Sequence, residues 1–317
     1  MDLNRRTVLA GAAATLAAAP ALAKAPLAGA QSASAYRYKI GDYEVTAIHD
    51  GFFSRPLEGF IKNADLADVK KAMEEAFLPT DRIPISFTTL VVNTGSKLVL
   101  IDTGNGDSGA PTSGVWMKNF KAAGFDPKDV DQVVISHFHG DHINGLRLKD
   151  GSAVFANAEI AVPAPEWAFW MDDAKMAAAP DGLKPAFQNA RRVFGPIAKD
   201  VKQFEWGKEA APGIVAVEAA GHTPGHTAFA IQSGPGRMMA MSDTTNHPAL
   251  FVRNPTWAAV FDMDGDKAAA TRRKLLDMAA SEKTQVGFYH APFPATGFIA
   301  KDGAGFRMQP AQWSLAL

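Results

Sequence analysis

The chain has 317 residues, 47% hydrophobic and 21% charged, with 20 Phe and 6 Trp, a composition that builds a globular core and excludes a disordered or collagenous chain. Its 32 basic and 33 acidic side chains leave a formal charge of −1, so there is no basic surplus to bind nucleic-acid phosphates or an anionic membrane surface. Cysteine is absent, which excludes disulfides, a thiol nucleophile and every thiolate-held metal; any metal here needs histidine and carboxylate ligands.

In chain order, Asn4-Arg5-Arg6-Thr7 precedes a weakly apolar run from Val8 to Ala23, broken by Gly11, Thr15 and Pro20 and ending in Ala21-Leu22-Ala23. These features resemble a twin-arginine export leader over residues 1–25, which implies a periplasmic destination. The run is rich in alanine and falls short of the roughly 20 strongly apolar residues of a membrane span, so no stable anchor is expected. From Tyr36 onward β-rich runs alternate with helical periods without linker or repeat, and the expectation is one α/β domain over residues 36–317. Leu66, Val69, Met73 and Phe77 predict a helix over Asp65–Phe77, with Asp65 as its N-cap. Thr88–Asn93 and Leu98–Ile101 predict a hairpin turning at Gly95, followed by a helix over Gly114–Ala123 closed by Gly124. Further strands are expected at Gln132–Ser136, Ile214–Glu218, Arg237–Ser242 and Gln285–Tyr289, and a helix over Asp266–Ala280 with Asp266 as cap.

Those last four strands each run into a metal-binding side chain. Gln132–Ser136 leads into His137-Phe138-His139-Gly140-Asp141-His142, Ile214–Glu218 into His222, Arg237–Ser242 into Asp243, and Gln285–Tyr289 into His290. Side chains alternate along extended backbone, so His137 and His139 share a direction while Phe138 turns into the protein. Gly140 then lets the chain bend before Asp141 and His142. Five imidazoles and two carboxylates are too many for one tetrahedral ion and suit borderline divalent ions: zinc, manganese, iron or cobalt.

His-x-His-x-Asp-His after an apolar strand, then Gly221-His222-Thr223-Pro224-Gly225-His226, Asp243 and His290, resembles the metallo-β-lactamase-fold hydrolases, and Leu100-Ile101-Asp102-Thr103-Gly104 matches their upstream motif. The resemblance runs from Tyr36 to the C-terminus and implies an αβ/βα sandwich with a dinuclear site at one edge. It assigns His137, His139 and His222 to one ion, Asp141, His142 and His290 to the other, and Asp243 to both; zinc is the ion expected first. The commonest β-lactamases carry Cys where Asp243 stands, and acyl-homoserine lactonases carry Tyr where Asn246 stands. The intervals of 80, 21 and 47 residues from His142 through His222 and Asp243 to His290 look most like the methyl parathion hydrolase and dihydrocoumarin-type lactonase branch.

Two ions sharing a water make a bridging hydroxide available near neutral pH, with Asp141 or Asp243 handling the proton. The expected activity is therefore hydrolysis of a small lactone or aryl ester, with promiscuous phosphotriesterase activity admitted. A mononuclear-iron sulfur dioxygenase and a glyoxalase-II-like thioesterase stand as alternatives. Asp102 and His226 are read as supports of the ligand loops rather than ligands. Trp167, Trp170, Phe187 and Phe251 are assigned to the substrate pocket, with the helix core as the alternative for the first three. Oligomeric state is not legible in the chain, although the family resemblance admits a homodimer.

Overall fold

Leu90-Val91-Val92 and Val99-Leu100-Ile101 are apolar at every position, the mark of strands covered on both faces. The computed structural model, which describes Gly29 and residues 31–317, places Val92, Val99 and Ile101 against a second sheet bearing Ala216, Phe229, Ile231 and Met238. Val91, Leu100 and Val133 point the other way, onto helices that carry Phe120, Phe187 and Phe194. The export leader expected over residues 1–25 lies outside the described residues.

The first sheet takes β1 (Ala35–Ile40), β2 (Tyr43–Pro56), β3 (Arg82–Asn93), β4 (Leu98–Ile101), β5 (Gln132–Val134), β6 (Glu159–Pro163) and β7 (Lys202–Phe204) in chain order, antiparallel as far as β4 and parallel beyond it. The second takes β8 (Glu209–Ala211), β9 (Ile214–Glu218), β10 (Thr227–Ser233), β11 (Gly236–Ala240), β12 (Gln285–Gly287), β13 (Thr296–Asp302) and β14 (Gly305–Pro310), with β11 and β12 as its parallel pair. Helices α1 (Leu66–Glu75), α2 (Trp116–Ala122), α3 (Gly140–Ile143), α4 (Ala164–Trp170), α5 (Asp173–Ala178) and α6 (Lys184–Phe194) lie between the strands of the first sheet in the chain. In the second half come α7 (Pro248–Phe251) and α8 (Gly265–Glu282), whose Leu275, Leu276 and Ala279 cover Met239 and Val286 on the outer face of the second sheet. Helices outside two face-to-face sheets make the αβ/βα sandwich that the sequence resemblance implies. No described helix is long and apolar enough to cross a membrane.

Several boundaries differ from the sequence expectation for identifiable reasons. Asp264, not Asp266, caps α8: its backbone is extended and its side chain accepts from the Lys267 N–H at 3.0 Å. Asp65 stands at the cap position of α1, but its side chain makes no capping bond. Helix α2 begins at Trp116 because Gly114 has φ 81°, and its first N–H is held by Asp50 Oδ1 at 2.7 Å from across the fold. Strands β5, β11 and β12 end two residues earlier than expected. Ser136, Ser242 and Tyr289 thereby leave the ladders and belong to the loops that carry the ligating side chains.

Candidate metal centre

The loops after β5, β9, β11 and β12 open at one edge of the sandwich and bring the seven sequence-predicted ligands together. His137 Nε2 lies 3.1 Å from His139 Nδ1, and His222 Nε2 lies 2.9 Å from the same atom. Asp243 Oδ2 is 2.9 Å from His290 Nε2 and 3.3 Å from His222 Nε2, while its Oδ1 is 3.2 Å from His142 Nε2. Asp141 Oδ2 is 3.4 Å from His142 Nε2 and 3.6 Å from His290 Nε2. Two groups result, His137, His139, His222 and Asp243 on one side and Asp141, His142 and His290 on the other, each with its ligand atoms within 4.8 Å of one another. Asp243 lies against both.

The outward nitrogens explain why the inward ones are free. His142 Nδ1 donates to Asp102 Oδ2 at 2.8 Å, His222 Nδ1 to Asp262 Oδ1 at 2.9 Å, and His290 Nδ1 to the Ser86 carbonyl at 2.8 Å. His137 Nδ1 has the Ser136 hydroxyl at 3.1 Å. A neutral ring holding its proton outward presents an inward lone pair, and lone pairs converging at about 3 Å repel unless a proton or a metal ion lies between them. Buried His142 Nε2 and Asp243 Oδ1 have no hydrogen-bond partner, a costly arrangement that a cation relieves. The donor set, nitrogen and oxygen without sulfur, fits two borderline divalent ions.

Asp102 and His226 sit behind this cluster. Asp102 accepts the Ser136 N–H and hydroxyl at 2.8 and 2.7 Å as well as His142. His226 donates through Nδ1 to the Ala219 carbonyl at 2.8 Å, and its Nε2 accepts the Asp243 N–H at 3.1 Å, so it holds the backbone of Asp243. Gly145 is required nearby: a Cβ there would lie 2.0 Å from the Thr103 carbonyl oxygen, and that close contact seats the ligand-bearing helix α3 on the Asp102-Thr103-Gly104 turn.

The aromatic pocket expected from the sequence is corrected by the structure. Trp170, Phe187 and Phe251 are fully buried and Trp167 is half-buried. Trp170 packs on Phe187, Trp167 on Phe138 and Phe194, and Phe251 on Phe60. None lines the cleft over the ligands, because the three-residue spacing of Trp167 and Trp170 turns both toward the core side of α4. That cleft, about 680 Å³, is walled instead by Phe53 of β2, Ile85 and Phe87 of β3, Leu183, and Val260, Phe261 and Met263 of the loop after α7. His139, Asp141, His222, Asp243 and His290 are reached from it.

Sequence reasoning passed over two buried carboxylates that bond to the ligand-bearing loops. Glu166, in the first turn of α4, has no exposed surface. Its Oε1 accepts the Phe138 N–H at 3.0 Å and Trp170 Nε1–H at 2.7 Å, and its Oε2 accepts the Thr223 hydroxyl at 2.9 Å and the Gly225 N–H at 2.7 Å. One carboxylate thus ties the loop of His137 and His139 to the loop of His222. Gly225 permits it, since a Cβ there would meet the Glu166 nitrogen at 2.2 Å. The only legible signal was the glycine of the second loop, which marks a close approach without naming its partner. Asp262 is also fully buried and joins His222 to Arg272 Nη2, 3.3 Å from its Oδ2.

Among known proteins, the sequence profile of the Metallo-beta-lactamase superfamily matches residues 83–284, more than half of the chain. An N-acyl homoserine lactonase from a Bacillus species is 20% identical over 238 residues, covering 69% of this chain and 86% of that protein. The solved structure of AidC, described as a dizinc quorum-quenching lactonase in complex with a product, has a TM-score of 0.84 at 28% identity, covering 89% of this chain and 98% of its own. That of AbOPH, described as a hydrolase in the beta lactamase superfamily, has a TM-score of 0.84 at 26% identity, covering 90% of this chain and 100% of its own.

Glu166→Gln retains one acceptor oxygen but sets an NH₂ against two of the four donors. It should cost about 2 kcal/mol of stability and lower the bound metal per chain. A melting temperature and metal content equal to wild type would contradict the tie between loops. Protonation gives a second test. Burial opposes charge on His222, but its bonds to Asp243 and Asp262 raise its pKa to about 9. Burial likewise opposes charge on His142, and Asp243, Asp141 and Asp102 nevertheless hold its pKa well above the histidine range. In protein stripped of ions these rings carry protons at neutral pH that an ion must displace. Ion uptake at pH 7 should therefore release protons and tighten as pH rises toward about 9. Calorimetry in two buffers of different ionisation enthalpy counts the protons, and a buffer-independent enthalpy would refute the assignment.

Proposed function

The chain belongs to the metallo-β-lactamase superfamily, and on that premise we propose that this metal-dependent hydrolase opens lactones, N-acylated homoserine lactones foremost, with two divalent ions, zinc first. The observation that carries the reading is the position of Asp243 between two histidine groups, with both groups reached from one apolar cleft. The relatives described as lactonases support the substrate class. An iron dioxygenase with a single ion would leave Asp141, His142 and His290 without a task.

Bound at these residues, two divalent ions supply an acidified water and a Lewis-acid contact for the substrate carbonyl oxygen. The chain does the rest. Burial opposes charge on both carboxylates, but the surrounding imidazoles keep Asp141 and Asp243 ionised, their pKa values below the usual carboxylate range. Asp141 is the more open to the cleft, and its backbone carbonyl accepts the Tyr289 hydroxyl at 2.5 Å. It is placed to accept a proton from the attacking water, whereas buried Asp243 serves to hold both ions. Phe53, Phe87, Val260 and Phe261 receive the apolar part of the substrate, and filling the cleft expels water from above the ligands. Phe87 stands edge-on to His290 with ring centroids 5.5 Å apart, so the apolar wall begins directly at the reacting centre.

Asp243→Ala should lower the metal content and cut lactone turnover by orders of magnitude. The check is metal analysis with rates on a panel of acyl-homoserine lactones, dihydrocoumarin, an aryl ester, a thioester and a phosphotriester. A variant with two ions and near-normal rates would sink the dinuclear reading, and thioester hydrolysis exceeding every lactone would displace the substrate class. The cleft wall predicts a chain-length series as well. Each CH₂ buried contributes about 0.8 kcal/mol, up to about fourfold in kcat/KM, while it meets the wall. Phe261→Ala should flatten that series, and an unchanged slope would place the acyl chain elsewhere.

A further inference from the structure

Asn246 lies three residues beyond Asp243, is 1% exposed, and lines the cleft together with His139, Asp141 and His290. Its buried Oδ1 has no hydrogen-bond partner. The other side-chain amides lining the cleft are engaged, Asn105 Nδ2 by Asp50 at 3.0 Å and Asn144 Oδ1 by Asn189 and Arg192 at 2.9 Å each. Asp262 is engaged by His222, Ala259 and Arg272. Among the described residues that line the cleft, Asp243, whose Oδ1 faces the metal groups, and Asn246 are those with an unpartnered buried acceptor atom; Thr88 and Thr245, whose hydroxyls are also unpartnered, do not line it. A carboxamide neither gains nor loses a proton near neutral pH, so Asn246 is suited to recognition rather than proton transfer.

An acceptor calls for a donor. Plain lactones and aryl esters present only acceptor oxygens, whereas a lactone bearing an acylamino group adds one N–H beside the ring. We propose that Asn246 is a specificity-determining residue whose Oδ1 accepts the amide N–H of an N-acylated lactone. The assignment rests on the lactonase reading and adds to it the group that distinguishes acylamino lactones from others. A site that hydrogen-bonds a substrate N–H discriminates against the analogue lacking it, because the buried acceptor is then left unpaired.

The test compares N-hexanoyl-homoserine lactone with its carba analogue, in which CH₂ replaces the amide N–H, on wild type, Asn246→Leu and Asn246→Ala. Metal content and melting temperature are measured on each protein, and the alanine variant serves if leucine does not fold. The wild-type ratio of kcat/KM, amide over carba, is expected at about ten or more, and each variant should lower that ratio about tenfold. A ratio near one in the wild type, or the same ratio in wild type and variants, overturns the assignment while leaving lactone hydrolysis standing. A loss shared equally by both substrates places the carboxamide on the ester group and overturns it too. A wild type with two ions bound that opens neither lactone overturns the lactonase reading and this assignment with it.

Discussion

An imidazole can ligate through one nitrogen only while the other keeps the proton, and the centre depends on where those protons are held. Four of the five rings have theirs fixed by an acceptor: Asp102 for His142, Asp262 for His222, the Ser86 carbonyl for His290 and the Ser136 hydroxyl for His137. The acceptors are themselves chained. Ser242 donates to Ser136 at 2.8 Å and Ser136 to Asp102 at 2.7 Å, so the ends of β4, β5 and β11 are joined beneath the ligands. Asp102 and Ser242 have φ of 59° and 43°, a left-handed backbone that side-chain-bearing residues adopt at a cost. That strain is tolerated where it aims the two side chains at one serine.

Buried charge is the second element of the design. Burial pushes the Glu166 carboxyl up, and four donors pull it back by satisfying both oxygens. A satisfied carboxylate of this kind adds little net stability, yet the loss of any donor leaves the others facing an underbound charge. Its role is therefore geometric: the Phe138 and Gly225 N–H groups cannot drift apart without exposing Glu166. The first of these lies between His137 and His139, and the second is three residues from His222. Glu166 thus sets the separation of three ligands without touching one.

What could be read in the sequence follows from how local each signal is. The His137–His142 run, the Gly221–His226 loop and the lone Asp243 and His290 were legible because each stands at the end of an apolar run, and strand ends deliver side chains to one edge of a sheet. The packing of two sheets was legible through the family resemblance alone, although the unbroken apolar runs Leu90–Val92 and Val99–Ile101 agree with it. Glu166 was not, since a single glutamate in a helical turn reads as solvated and only the tertiary approach of Gly225 buries it. The cleft wall was not legible either. Phe53, Phe87 and Phe261 come from three separate segments, and nothing in spacing links them, whereas Trp167 and Trp170 drew attention because they stand between the first two ligand motifs, and they pack into the core. The Asp264 cap was missed because Asp264 and Asp266 fit the same pattern and only backbone angles decide between them.

The wall of the cleft and the metal ligands are not independent parts. Arg272 of α8, 1% exposed, donates through Nε to the Thr244 carbonyl at 2.6 Å, next to Asp243. Its Nη1 reaches the Pro255 and Trp257 carbonyls at 3.1 and 2.5 Å, and its Nη2 the carboxylate of Asp262. Pro255 and Trp257 belong to the loop that goes on to present Val260 and Phe261 to the cleft, and Asp262 holds His222. A planar guanidinium with fixed donor directions therefore sets wall, orienting carboxylate and ligand-bearing loop against one another, which a lysine's single ammonium could not do. Change in the wall that shifts residues 255–262 must move the acceptor of the His222 proton as well. On the opposite wall β3 carries a coupling of its own, since the Ser86 carbonyl between Ile85 and Phe87 holds the His290 proton; the wall position free of both couplings is Phe53 of β2. Substrate preference can be altered there with the ligand geometry left in place.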